Sequence, residues 1–233
     1  MNRTSSIRAI ACDYDGTLTG EGPVEPETLS ALKRFKESGR RLILVTGREL
    51  KDLASVFPGL EIFDTIVAEN GAVLYGAAHR REVPLGDPPP LAFVQQLRRR
   101  GVTPLSVGRC VVATVRSQHA AVLEAIEEIA HDREIILNRN SLMVLPAGMD
   151  KSTGLNAALR QLGLTAEDTV GIGDAENDDA FLKICGIYVA VANAIPSIRD
   201  AADLITQGDD GAGIVEIIDK VVSGELQPVK ARQ

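Results

Sequence analysis

The residues best suited to chemistry in this chain are aspartates that directly follow apolar runs. Asp13 and Asp15 stand in Asp13-Tyr14-Asp15-Gly16-Thr17-Leu18-Thr19, immediately after the apolar run 7–12. Residues two apart on extended backbone share a face, so both carboxylates can converge on one point. Such a pair suits a divalent cation, or a division of labour between a nucleophile and an acid. The plain structural alternative is an Asp-Gly turn closing a strand. A second acidic group, Gly171-Ile172-Gly173-Asp174-Ala175-Glu176-Asn177-Asp178-Asp179, also follows an apolar stretch. Asp174 has the position of a metal ligand, and Asn177 and Asp178 fall about one helical turn later, where they face back toward it. An acidic helix start that offsets the macrodipole is the alternative for this segment taken alone. A dinucleotide-binding GxGxxG is absent, because Glu176 stands in place of the third glycine.

Two further features lie between these groups. Thr46-Gly47-Arg48 ends an apolar run, and Asp150-Lys151-Ser152 opens an amphipathic one. A hydroxyl and backbone N–H groups after a strand hold phosphate oxygens, and a lysine at a helix start adds positive charge where an anion sits. Singly, Thr46 is a turn residue and Lys151 a surface lysine. Together with the acidic groups they form four features at element ends. Four negatives from Asp13, Asp15, Asp174 and Asp178 against Lys151 would repel a phosphate dianion. A hard divalent cation with oxygen ligands relieves that repulsion, and Mg²⁺ typically bridges one or two carboxylates to a substrate phosphate. Without the cation, the site is expected to be inert toward phosphate esters.

The elements that must position these residues alternate in type. Apolar runs at 7–12, 41–45 and 64–68 read as buried strands, with helices at 25–38 and 49–57 between them. The βαβαβ order argues for a parallel sheet, whose ligands bind beyond the carboxyl ends of the strands. After Tyr75 the pattern changes to helix 91–100, strands near 103–107 and 110–115, helix 118–131, and strands near 134–137 and 142–145. Two αββ units in a row imply a small antiparallel sheet with helices on one face. The first style resumes with helix 152–162, strands 169–172 and 187–191, and helix 214–222. The expected organisation is one α/β core, residues 1–78 and 150–233, interrupted by an inserted module, residues 79–149.

In this arrangement the chain resembles the haloacid dehalogenase superfamily. Its four motifs are matched by Asp13-Tyr14-Asp15-Gly16-Thr17, Thr46, Lys151, and Gly173-Asp174 with Asn177-Asp178. The inserted αββαββ module is similar to the α+β cap of the Cof-type, or IIB, branch. Asn70-Gly71-Ala72, residues 189–194 and Asp210-Gly211 are also similar to that branch. The resemblance implies a Rossmann-like parallel-sheet core with an inserted cap, and a Mg²⁺-dependent phosphatase acting on a small phosphomonoester, phosphoglycolate first and a sugar phosphate second. It implies that Asp13 attacks phosphorus to form an aspartyl-phosphate, while Asp15 protonates the leaving alkoxide and later activates water. Asp13, the backbone carbonyl of Asp15, and Asp174 would hold Mg²⁺, with Asp178, chosen over Asp179 on motif alignment, in support and Asn177 as a further candidate. Thr46 and Lys151, with Gly47, Arg48 and Asn177, would bind the phosphoryl group.

Asp15 also separates branches of chemistry. A halide leaves without a proton whereas an alkoxide needs one, so the aspartate pair favours phosphate esters over carbon–halogen bonds. A phosphosugar mutase using the same aspartyl-phosphate is one rival, and a non-catalytic binding protein on the same scaffold is another. A response-regulator receiver also sets an Asp, a Thr and a Lys around Mg²⁺, but its phosphoacceptor is not expected on the first strand. In the cap, Arg116, Asn138, Arg139 and Asn140 are candidates for substrate contact.

The composition narrows the partners. Against 25 Lys and Arg stand 32 Asp and Glu, and with five Phe, three Tyr and no Trp there is little to stack on unpaired bases. Nucleic acid is an unsuited partner. The longest apolar stretch, 184–192, is about half of the ~18 residues a spanning helix needs, and the first ten residues lack a long apolar signal core. The expectation is a cytoplasmic protein with a small-molecule phosphate ester as its partner; its oligomeric state is left open. Cys12, Cys110 and Cys185 are odd in number and far apart, so they read as small hydrophobes. His79, His119 and His131 show no metal-ligand spacing.

Overall fold

The computed structural model describes residues 6–76 and 79–227. Its larger sheet has eight strands. The parallel part is built from β1 (Ala9–Cys12), β2 (Arg41–Val45), β3 (Thr65–Ala68), and, much later in the chain, β10 (Thr169–Gly173), β11 (Ile187–Ala190) and β12 (Leu204–Ile205). Two antiparallel strands, β4 (Val73–Gly76) and β5 (Arg81–Pro84), extend one edge, giving the order β12-β11-β10-β1-β2-β3-β4-β5. The central strands are buried on both faces, which is why they read as unbroken apolar runs rather than alternating ones.

Helices α1 (Pro26–Glu37), α2 (Leu50–Val56), α5 (Lys151–Leu162), α6 (Asp179–Ile184), α7 (Pro196–Ala201) and α8 (Asp210–Val222) belong to this core. Pro26 sits in the first turn of α1, where its missing N–H costs nothing. Asp150 caps α5 by accepting from Thr153 N, and Gly163 ends that helix in the left-handed conformation.

The inserted module folds as α3 (Leu91–Arg99), β6 (Ser106–Val107), β7 (Val112–Val115), α4 (His119–Ile129), β8 (Arg133–Asn138) and β9 (Ser141–Pro146), the αββαββ order read from the sequence. Its sheet is antiparallel, in the order β6-β7-β9-β8. Both faces of this sheet are used, and the period of two along β9 shows how. Leu142 and Val144 join Phe93, Leu97, Val122 and Ile126 beneath the two helices, whereas Met143 and Leu145 join the main core. One face of the module is therefore bound to its own helices, and the other is laid against the core.

Two boundaries differ from the sequence reading. Residues 81–84, placed there in the insert, form β5 and pair with β4 in the large sheet. The charged sequence around them gave no apolar pattern because β5 is an edge strand with largely exposed side chains. The last helix begins at Asp210 rather than near 214. Of its first residues, Asp210, Gly211 and Gly213 have low helix propensity, and tertiary packing of buried Gly211 and Gly213 overrides it.

Candidate active site

Strand order places the site. The chain runs from β1 to β2 and β3 on one side and returns to β10, β11 and β12 on the other, so the sheet reverses direction of growth between β1 and β10. Ligand crevices form at such a reversal, outside the carboxyl ends of the strands. Asp13 follows β1 and Asp174 follows β10, with Cys12 and Ile172 paired in register and Asp13 N donating to Ile172 O at 3.0 Å. Thr46 follows β2, the neighbour on the other side of β1.

Asp13, Asp174 and Asp178 are all buried, and each offers a carboxylate oxygen within 4.8 Å of the others. Lys151, the first residue of α5 and only 1% exposed, reaches across to them: its Nζ donates to Asp13 Oδ1 at 2.5 Å and to Asp178 Oδ1 at 2.6 Å. Asp178 has a second duty, because its Oδ2 accepts from Asp174 N and Ala175 N, each at 3.0 Å. That carboxylate folds the loop after β10 back on itself and so aims Asp174. Thr17 Oγ1 donates to Asp174 Oδ1 at 3.0 Å. Gly16, at φ +87°, is required here: a Cβ would stand 2.6 Å from Asp174 Oδ2.

Three buried carboxylates face the Lys151 ammonium and, at Asp174, the Arg139 guanidinium, which leaves the cluster one positive charge short. Burial, then Asp178 and Asp174, hold the Asp13 carboxyl well above the usual carboxylate range, against the pull of Lys151. Burial and Asp178 push Asp174 up to about 6. Burial by itself would lower the Lys151 ammonium, but Asp13 and Asp178 more than offset it, and its pKa is raised. A set of hard oxygen donors that strains to keep its protons off is well matched to a divalent cation, and the mutual spacing suits one ion. The residues present therefore fit a hard divalent metal.

Asp15 does not converge with Asp13. Its carboxylate is gripped by Arg48, with Nε to Oδ2 at 2.8 Å and Nη2 to Oδ1 at 2.7 Å, and its side chain is 46% exposed. The tight turn at Tyr14–Thr19, closed by Gly16 N to Thr19 O, breaks the extended geometry on which a shared face depends. The Asp15 carboxylate thus lies outside the buried trio and lines the cavity above it, with Gly47 and Arg48. Thr46 is fully buried and its Oγ1 accepts from Arg48 N at 3.1 Å. Asn177 Nδ2 donates to Asn70 Oδ1 at 2.9 Å, while Asn177 Oδ1 and Asn70 Nδ2 are buried without partners.

In the turn after β3 the sequence reading names Asn70-Gly71-Ala72 by resemblance but not Glu69. Glu69, Asn70 and Gly71 carry three successive positive φ values, 49°, 54° and 108°. Glu69 N and Asn70 N donate to Arg48 O and Thr46 O, each at 3.0 Å, bracing the loop after β2. The buried Glu69 carboxylate reaches into the insert, where it accepts from Arg109 N at 2.9 Å, Cys110 N at 2.8 Å and Val111 N at 3.1 Å. Asn-Gly was a visible turn signal, but the partners of Glu69 lie about forty residues away in the chain, beyond local pattern. On the opposite side, Asn193 Nδ2 donates to Gly16 O at 2.8 Å and to Asp210 Oδ1 at 2.9 Å, which ties the stretches 189–194 and 210–211 to the Asp13 loop.

Among the cap candidates, Arg139 reaches the site: its guanidinium donates to Asp174 Oδ2. Arg116 supports the same hairpin from behind, with N to Asn140 O at 2.8 Å and Nη1 to Arg139 O at 3.2 Å. Asn138 lines the cavity and its buried Oδ1 has no partner. Cys12 and Cys110 are buried as expected, and Cys185 is partly so.

The profile of the family described as haloacid dehalogenase-like hydrolase matches residues 10–85 and 106–218, spanning all these features. The chain belongs to that family. This hydrolase is 31% identical over 236 residues to phosphoglycolate phosphatase 2 of Saccharolobus solfataricus, covering 97% of each chain. It is 31% identical over 222 residues to a phosphoglycolate phosphatase of Methanothermobacter thermautotrophicus, covering 91% of this chain and 97% of that one. Its fold is that of a haloacid dehalogenase-like hydrolase from Bacteroides thetaiotaomicron, with TM-score 0.78 and 22% identity over 93% of this chain and all of that one. A subclass IIB sugar phosphatase of the same superfamily has TM-score 0.76 and 20% identity over 94% and 100% of the two chains. Family and relatives together make this hydrolase a phosphatase. No helix among its described residues is long and apolar enough to cross a membrane.

Proposed function

We propose that this phosphatase is Mg²⁺-dependent and cleaves a small phosphomonoester through an aspartyl-phosphate on Asp13, with phosphoglycolate as first candidate substrate and a sugar phosphate as second. The observation that carries the reading is the position of Asp13. It is buried at the switch point of the sheet, in contact with Lys151, with Asp174 and Asp178 close enough to share one ion. Bound there by Asp13, Asp174 and the main-chain carbonyl of Asp15, with Asp178 in support, Mg²⁺ would neutralise carboxylate and phosphate charge.

The chain's own residues supply the rest. Asp13 attacks phosphorus, and the bond to the ester oxygen breaks. Asp15, two residues on and facing the same cavity, gives the departing alkoxide a proton, then takes one from the water that frees Asp13. An ammonium has three donors, and Lys151 spends two on Asp13 and Asp178, which leaves one for a phosphoryl oxygen. Gly47 and Arg48 line the same cavity, and with Thr46, which follows β2, and Asn177 they are assigned the remaining phosphoryl oxygens. The relatives' activity supports phosphoglycolate as the first choice.

The test is phosphate release from a panel of phosphomonoesters by the wild type and by Asp13→Asn, each with MgCl₂ and with EDTA. Release by the wild type with Mg²⁺ alone, abolished in the variant, is expected. Turnover in EDTA, or full activity of Asp13→Asn, refutes the mechanism. Isomerised phosphosugar without free phosphate would assign a mutase instead.

A further inference from the structure

The space above Asp13 is a cavity of about 1040 Å³ between core and insert. The core side of its lining carries charges of both signs, and its arginine, Arg48, is already committed to Asp15 and Asp52. From the insert, Arg139 is the one charged residue that lines it. It stands at the two-residue connection between β8 and β9 with φ 50°, a left-handed conformation that favours Gly or Asn at a hairpin turn. An arginine held there costs stability that a glycine or asparagine would not, and strain of this kind collects where a side chain is needed in one place.

The tip is also fixed in position. Arg116 holds both of its carbonyls, at Arg139 and Asn140, and Arg139 N donates to Glu176 Oε2 at 3.4 Å across to the core. From this point the guanidinium extends to the buried carboxylate of Asp174. Because Asp174 and Asp13 are themselves within 4.8 Å, the guanidinium's reach covers ground immediately beside the proposed nucleophile.

We propose that Arg139 reads the organic half of the substrate, pairing with a carboxylate carried one or two carbons from the ester oxygen. This rests on the phosphatase reading above and narrows its substrate class to short phosphoesters that carry a carboxylate as a second anionic group. The guanidinium already donates to one carboxylate, and its planar fork suits a second. With the guanidinium on Asp174, whose carboxylate oxygen is within 4.8 Å of one on Asp13, a compact acid spans the gap between cation and nucleophile. A hexose would spread its hydroxyls past this cation without offering it a charge.

The experiment compares two substrates of similar length, phosphoglycolate and ethyl phosphate, in the wild type, Arg139→Leu and Arg139→Lys, with excess MgCl₂. The readout is the ratio of their kcat/KM values, so each protein serves as its own control for folding. A wild-type preference for phosphoglycolate that falls about tenfold or more in Arg139→Leu, chiefly through KM, is expected from loss of one charged hydrogen-bonded pair. Partial recovery in Arg139→Lys is expected with it. A ratio unchanged by Arg139→Leu, with both substrates slowed alike, reduces Arg139 to a pin on Asp174 and overturns the proposal. A second arm measures binding by calorimetry in the Asp13→Asn background, where turnover is not needed. Phosphoglycolate bound about tenfold more weakly on adding Arg139→Leu supports the assignment, and equal binding overturns it. If the wild type releases phosphate from neither ester, the phosphatase reading of the substrate fails, and the calorimetric arm still decides the role of Arg139.

Discussion

Lys151 and Asp13 are 138 residues apart in the chain and 2.5 Å apart in the fold, both removed from water. The same ammonium is 2.6 Å from Asp178, so one lysine at a helix start joins the loop after the first strand to the loop after the tenth. Buried ions are costly when a partner is lost, since the survivor has neither water nor counter-charge.

Removing that ammonium should therefore harm both chemistry and stability. For Lys151→Met we expect kcat to fall about 10²-fold or more, as when a preorganised transition-state donor is deleted. We expect the metal-free protein to lose about 3–5 kcal/mol by urea denaturation, the cost of breaking a buried pair. Excess MgCl₂ should recover part of the stability and little of the rate. Lys151→Arg should not rescue, because a fork-shaped guanidinium does not fit a fully buried point-charge site.

The raised pKa of Asp174 gives a pH dependence whose direction is fixed. Its folded value is about 6, against an ordinary 3.8. Between those values the folded state keeps a proton that the unfolded chain has released, so stability due to this group falls as pH rises through that window. In EDTA, the melting temperature should decline across it and then level above about pH 6. A cation competes with the same proton, so Mg²⁺ affinity should climb over this range. A melting temperature in EDTA that instead rises across the window would contradict the assignment.

Asp15 is expected to matter in proportion to the leaving group's need for a proton. Asp15→Asn should slow an alkyl phosphate about 10²–10⁴-fold, the usual worth of general acid catalysis. It should slow p-nitrophenyl phosphate far less, because that phenolate departs unassisted. Equal losses on both substrates would give Asp15 a structural role only.

Glu69 should act on how the insert is seated. Glu69→Ala leaves the N–H groups of Arg109, Cys110 and Val111 without their acceptor, and we expect about 1–3 kcal/mol of destabilisation per buried donor that water cannot reach. Hydrogen exchange at residues 109–111 should quicken selectively. Glu69→Gln should fall between the two proteins, since its amide offers one acceptor oxygen where the carboxylate offers two. Unchanged exchange in Glu69→Ala would show that the contact does not hold the insert.

The sequence by itself determined the elements and the chemistry-bearing ends. Apolar runs, helix starts and Gly stops are local signals, and Asp13, Thr46, Lys151 and Asp174 could be read because each sits one residue past such a run or opens a helix. The αββαββ order of the insert was legible for the same reason. Tertiary structure decided the rest. Only the strand order puts β1 between β10 and β2, and so turns four separate features into one site. It decided that the Asp15 carboxylate leaves Asp13 for Arg48, because a tight turn with Gly16 at positive φ overrides the alternation expected of extended chain. It also placed edge strand β5 in the core sheet, and gave Glu69 and Arg139 their partners. Their charge has no period and their contacts have no local spacing. Burial and hydrogen bonding between distant segments are properties of the folded surface, which no short window of sequence contains.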